Sequence, residues 1–305
     1  MDLDQITTRI VKGGVEYTIV RPGISLCLLY GESAVTLAPA VARILEQYIR
    51  FVPPASLQTY LTADGTWKKM NSRTLDTTLR TLRSISPDEY AEFHFGQEPV
   101  RNVGDFGAHF YAGPLEKSRP TRDAALYLEF PADVTAFTLD QLVDFVRAIA
   151  CSHPFDSGHC GYAFKNLQMS LRREAFKAIG RMAMRYIGFD VSNDLVRLEA
   201  RGRVCNVSWL TLLGREITAK LGGVGELRRQ LADAVDVAEC GTGTVIRATS
   251  VPIVGDVNRG AKEIAMLRRL AEITRSVRVE ADNLGPDDPN FAHRWLNRFE
   301  ALEVQ

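Results

Sequence analysis

The sequence lacks the features that most quickly assign a chain to a chemical class. It has no Cys-x-x-Cys pair, and its five cysteines, Cys27, Cys151, Cys160, Cys205 and Cys240, are scattered and odd in number. That leaves no ready zinc or thioredoxin-type frame, and the simplest reading is reduced thiols in a cytoplasmic protein. No apolar run approaches the roughly 18 residues that a membrane helix needs. The segment Met1–Arg9 has neither a basic leader nor an apolar core, so neither a signal peptide nor a membrane contact is expected. Net charge is lacking too: Lys plus Arg and Asp plus Glu each number 37. A dedicated nucleic-acid binder carries a basic excess, so no direct nucleic-acid contact is expected. The same balance excludes an acidic DNA mimic over the whole surface, though not a local acidic patch. There is no repeat period, no low-complexity tract and no linker rich in Pro, Gly and Ser. Residues 1–305 therefore read as one packed unit with an ordinary globular composition, 46% hydrophobic and 24% charged.

What is present reads as strands in runs, joined by short turns and interrupted by single helices. Val15–Val20 and Ile24–Tyr30 flank Arg21-Pro22-Gly23, which has the residues of a hairpin turn. A helix over Leu37–Arg50 directs Val41, Ile44, Leu45 and Tyr48 inward, and Pro53-Pro54 ends it. Asp64-Gly65 joins Leu57–Thr62 to Trp67–Met70. Leu75, Leu79 and Leu82 mark another helix. Strands follow at Tyr90–Phe95, Ala108–Ala112 and Ala125–Phe130. Thr138 and Gln141 form a capping-box pair before Leu142, Val146 and Ile149. Gly158–Phe164 reads as a strand, and Leu171, Ala175, Ile179, Met182 and Tyr186 as one face of a helix. Leu195–Ala200 and Arg203–Asn206 are further strand readings. Leu210, Leu213, Ile217 and Leu221 have helical spacing and stop at Gly222-Gly223. Leu227, Leu231 and Val235 continue as a second helix, followed by a hairpin around Gly241-Thr242-Gly243. Ile264, Leu267 and Ala271, and then Phe291, Trp295 and Phe299, mark the last two helices. The pattern predicts an α+β fold, a largely antiparallel or mixed sheet flanked by helices. Both halves contain a helix-then-hairpin unit, the trace of a weak internal duplication.

The order of these pieces resembles a bacterial family. Trp209-Leu210, Leu213-Gly214, Leu221-Gly222-Gly223, Pro252 and Gly255-Asp256-Val257-Asn258 look like the type VI secretion immunity family of TsiV-type proteins, encoded beside VRR-Nuc nuclease toxins. His109-Phe-Tyr-Ala-Gly113 and Ser157-Gly-His-Cys-Gly-Tyr162 add to the likeness. These motifs are structural punctuation and none is a catalytic signature. The resemblance implies an immunity protein, not an enzyme, that needs no cofactor and neutralises a cognate toxin by binding it. The toxin it implies resembles metal-dependent nucleases of the PD-(D/E)xK class. Immunity to a different toxin class is the alternative, which the neighbouring gene would decide.

Candidate chemistry is sparse. Cys151, His153, His159 and Cys160 are zinc-ligand types, but adjacent residues on a strand point to opposite faces. The Asp156–Cys160 region could also supply a thiol, a base and an orienting carboxylate, yet such groups must meet in space. Gly241-Thr-Gly-Thr and Leu221-Gly-Gly-Val-Gly225 lack the lysine-serine ending of a phosphate loop. For partner binding, Glu280–Asp288 contains four acids and no base, which nominates Glu280, Asp282 and Asp287; Asp256 joins them from its glycine-aspartate loop. Asp88, Glu89 and Glu92 form a second acidic group.

Overall fold

The computed structural model of the protein describes residues 3–97, 101–114, 124–133, 135–167, 171–191, 201–232, 234–259, 262–279 and 290–300. β1 (Thr8–Lys12) turns through Gly13 and Gly14 into β2 (Val15–Tyr30). Both glycines have positive φ, 60° and 76°, the combination that a two-residue hairpin turn requires. α1 (Ala34–Phe51), β3 (Thr59–Leu61), β4 (Trp67–Lys69), α2 (Ser72–Arg83), β5 (Ala91–Gly96), β6 (Gly107–Ala112) and β7 (Ala124–Pro131) follow. After α3 (Leu139–Ser152) come β8 (Ser157–Asn166), α4 (Arg172–Ala183), β9 (Leu210–Gly214), α5 (Arg215–Lys220) and α6 (Gly223–Gln230). β10 (Asp236–Cys240), β11 (Gly243–Arg247), α7 (Ala265–Thr274) and α8 (Phe291–Leu296) complete the described elements. The strands form one 11-stranded sheet in the order β10-β11-β9-β8-β2-β7-β6-β5-β3-β4, with β1 paired to β2 off that path. The pairings between these strands are antiparallel, so the α+β expectation is met. The two helix-then-hairpin units end at opposite edges of the sheet, β3-β4 at one and β10-β11 at the other.

Period-two alternation explains how one sheet serves two cores. Ile24, Leu26 and Leu28 of β2 face α1 and α3, together with Phe110, Leu126 and Leu128. Cys27 and Leu29 face the other way, against a layer that includes Ala175 and Ile179 of α4 and Phe291 and Trp295 of α8. A third cluster joins Leu213, Ile217, Leu227, Ile246, Leu267 and Leu270. Val41, Ile44, Leu45 and Tyr48 of α1 are fully buried. The capping box at α3 is made: Thr138 Oγ1 accepts from Gln141 N at 3.1 Å and Gln141 Oε1 from Thr138 N at 2.8 Å.

Three local expectations are corrected. Arg21-Pro22-Gly23 is not a turn but the middle of β2, where Pro22 pairs with Phe164. The β7 ladder begins at Gly23, so on that flank Pro22, which lacks an N–H, leaves no ladder position unfilled. Gly23 is required because a Cβ there would collide with the Lys165 side chain. Second, Leu210–Leu213 is the strand β9 rather than helix, and only Arg215–Lys220 is helical. β9 is buried on both faces, which removes the alternation that marks a half-exposed strand. Leucines before and after the strand-to-helix junction then mimic one helical stripe. Third, Arg203–Asn206 contributes an isolated bridge, Val204 to Arg278, instead of a strand. The helix read over Leu227, Leu231 and Val235 ends at Gln230, so Val235 lies beyond it and is 52% exposed. The reading at Leu195–Ala200 lies outside the described residues.

Trp209, Leu213 and Ile217 are packed inside, 1%, 0% and 1% exposed. Leu213→Ala is expected to lower unfolding free energy by about 2–5 kcal/mol through the cavity it leaves. Chemical denaturation of the two proteins measures this, and an unchanged midpoint would contradict the packing described.

Candidate functional site

The residues suggested for thiol chemistry do not assemble. Cys160 is fully buried beside the α1–α3 layer, and burial pushes its thiol well above the ordinary range. His159, the preceding residue, is held on the other side: its Nε2 lies 2.9 Å from Asp190 Oδ2. Asp190 Oδ1 accepts from Asn206 Nδ2 at 3.1 Å, and Asn206 Oδ1 accepts from Arg298 at 2.6 Å. The Arg298 guanidinium also donates to the carbonyls of Ile187 and Trp295, at 2.7 and 2.9 Å. This network ties β8 to the chain after α8 and holds His159 away from Cys160. Asp156 accepts from Gly202 N at 2.9 Å, and its carboxyl pKa is raised, mainly by burial. His153 is 4% exposed, and burial lowers its pKa, with Arg43 adding to the effect. Cys151 is joined to Cys240 in a disulfide across 89 residues, which corrects the expectation of five reduced thiols. The end of α3 meets the β10–β11 turn there, a proximity that only the folded sheet creates. Among the described residues, no three His, Cys, Asp or Glu side chains gather in a way that could hold a metal ion.

The acidic candidates divide. Glu280, Asp282 and Asp287 lie outside the described residues. Asp256 is 3% exposed, and its two oxygens accept from Arg185 Nε and Nη2 at 3.1 and 3.3 Å. Arg259 stands 3.6 Å away, and the Asn258 N–H donates to the same carboxylate at 3.2 Å. Arg185 leads the causes that hold this carboxyl below its usual range. Asp256 is thus an inward group, while the two guanidinium side chains that it anchors are 43% and 63% exposed. In the second acidic group, Asp88 and Glu89 are exposed and Glu92 reaches His94 Nε2 at 2.8 Å.

The sequence reading missed a charged array drawn from four strands, β5, β6, β7 and β8, with β2 lying between the last two. His94 Nδ1 on β5 lies 2.9 Å from His109 Nδ1 on β6, so one ring presents an N–H and the other a lone pair. His109 Nε2 is 3.7 Å from Glu129 Oε1 on β7, and Glu129 Oε2 is 3.7 Å from Lys165 Nζ on β8. Lys165 is 2% exposed and donates to the carbonyls of Gly104 and Asp105, both at 2.6 Å. Burial by itself would raise the Glu129 carboxyl, but Lys165 and His109 outweigh it and bring it to about 2. A charged residue inside each apolar run, Leu-Tyr-Leu-Glu129-Phe and Tyr-Ala-Phe-Lys165, was the available signal. Separately, two open hollows of about 630 and 410 Å³ share Arg215 and Gly241. Asp156, Glu216 and Glu239 contribute to their walls. Open recesses of this kind suit a macromolecular contact better than retention of a small substrate.

The chain was compared with known proteins. A family described as TsiV, type VI immunity for VRR-NUC, matches residues 40–299. Among solved structures, the Pseudomonas aeruginosa T6SS protein PA0821 is similar with a TM-score of 0.78 and 21% sequence identity. The alignment covers 95% of this chain and 87% of that one, a likeness that shows the fold. No curated protein matches the chain.

The Glu129 site has a pH signature. Its folded pKa of about 2 lies below the unfolded carboxyl value of about 4.3. The ionised carboxylate therefore contributes stability that is complete above about pH 5 and is lost as pH falls toward 2. Glu129→Gln is expected to be less stable than wild type at neutral pH, with the gap narrowing through that window. Denaturation at several pH values measures it, and a gap independent of pH would contradict this assignment.

Proposed function

The chain belongs to the TsiV family, type VI immunity for VRR-NUC, and from that premise we propose that it protects by stoichiometric occlusion. It binds a cognate effector, a VRR-Nuc DNase of the PD-(D/E)xK type, and covers the cleft through which that toxin reaches DNA. The observation that carries this reading is the family match, which spans residues 40–299. A binder needs no catalytic constellation, and the burial of Cys160 and the inward tie of His159 favour a binder over a thiol enzyme. An interface of about 1,600 Å² is sufficient for tight inhibition when a few aromatic or Arg anchors pack well. Arg185 and Arg259, held by Asp256, are anchors of that kind.

Steering toward a DNA-binding cleft calls for local negative charge, because the chain has none overall. We assign that role to Glu280, Asp282 and Asp287, whose surrounding stretch carries no base. Protection of DNA places the protein in the cytoplasm. Among the described residues no helix is long and apolar enough to cross a membrane. The Cys151–Cys240 bond is a feature more frequent in oxidising compartments, so thiol state in the intact cell bears directly on that placement.

Neutralising the three carboxylates, as Glu280→Gln, Asp282→Asn and Asp287→Asn together, is expected to slow association with the toxin and flatten its salt dependence. Dissociation should change less, because charges at an interface rim act mostly on the on-rate. Binding kinetics at two ionic strengths measure this. Equal association rates for wild type and triple variant at low salt would remove this stretch as the steering surface and leave Asp88, Glu89 and Glu92, or an interface built on aromatics, as the alternatives.

A further inference from the structure

Beneath the segment 101–107, several buried polar groups have fewer partners than they can hold. Asn166 is 8% exposed, and its Oδ1 acceptor has no hydrogen-bond partner among the described residues. The same holds for the Trp67 Nε1 donor, which is also buried. Each Glu129 oxygen stands 3.7 Å from its cationic or imidazole neighbour, Lys165 on one side and His109 on the other. That separation exceeds a direct hydrogen bond, and polar gaps of this length are commonly bridged by water. Trp67, His109, Glu129 and Asn166 line one hollow, walled on its apolar side by Phe95 and Phe106. Gly107 forms part of its floor, where a Cβ would come 2.7 Å from Glu129 Oε2.

The hollow offers about 30 Å³ to the centre of a water molecule, and a single water needs roughly 10–15 Å³ on that measure. A protein side chain is too large for it. Nor does the charge balance ask for a cation, since Lys165 already faces the Glu129 carboxylate. A donor, an amide acceptor and a carboxylate around a water-sized space match what an internal water requires, two to four polar partners.

We infer that this hollow is a built water site. Ordered water in it accepts the Trp67 indole proton, donates to Asn166 Oδ1 and solvates the Glu129 carboxylate. It completes the solvation of a carboxylate that the fold keeps ionised. The remaining space admits a second molecule in the Glu129–His109 gap.

The test uses the full chain. A crystal structure at atomic resolution is expected to show ordered water density in the hollow, within hydrogen-bond distance of Trp67 Nε1 and of Asn166 Oδ1. Oxygen-17 relaxation dispersion in solution is expected to lose the amplitude of one long-lived water in Trp67→Phe, which keeps the ring but removes the donor, and in Asn166→Leu, which fills the space. The inference is overturned if Trp67 Nε1 and Asn166 Oδ1 pair with protein groups in the crystal. Equal relaxation amplitudes in wild type and both variants would also overturn it. Should the variants not fold, the wild-type density decides the question alone.

Discussion

From Pro22 to Tyr30 every residue of β2 is buried, with the strand hydrogen-bonded to β7 along one side and to β8 along the other. A strand in that position has no solvent face to spend on polar residues, so its register is fixed by both cores at once. A slip of one residue would turn Ile24, Leu26 and Leu28 toward α4 and α8 and place Cys27 and Leu29 against α1 and α3. The same register carries Gly23 beneath the Lys165 stem and brings Lys165 to Glu129. The charged array is therefore a consequence of how β2 is paired, rather than an addition to a finished fold.

That array shows how this molecule uses its ionisable groups. Lys165 holds the 101–107 segment through two carbonyls, Asp190 and Arg298 tie β8 to the C-terminal part of the described chain, and Asp256 fixes Arg185. In each case a charge is taken from solvent and given partners, which preserves a geometry more than it adds net stability. A binding protein benefits from such rigidity, because a surface already in its bound shape loses less freedom on association. Membership of an immunity family and a scaffold whose buried charges serve structure are consistent with one another.

Much of this was legible in the sequence where local signals and tertiary environment agreed. The α1 stripe, the Thr138–Gln141 capping box and the Asp64-Gly65 and Gly241-Thr242 turns are each specified by neighbours in the chain, and each formed as read. The failures share a cause. Pro22-Gly23 carries turn residues, but a free flank and a crossing lysine made them the right choice inside a strand. Leu210–Leu213 lost its alternation because both of its faces are covered. Cys151 and Cys240 are 89 residues apart and meet only once the sheet exists. Glu129 and Lys165 looked like isolated charges because their partnership spans β7, β2 and β8. The family likeness rested on turns and junctions such as Leu213-Gly214 and Gly255-Asp256, where backbone geometry restricts the residue. Gly214 has backbone atoms of Phe155 and Asp156 where a Cβ would sit, and Gly255 has a φ of 64°.

Occlusion is tested most directly by competition for a catalytically inactive form of the cognate toxin. Labelled DNA is bound to that toxin and the protein is titrated in while DNA occupancy is followed. The account predicts loss of bound DNA that is complete near one equivalent, with no complex containing all three components. A stable ternary complex, in which the toxin holds DNA and this protein together, would contradict it.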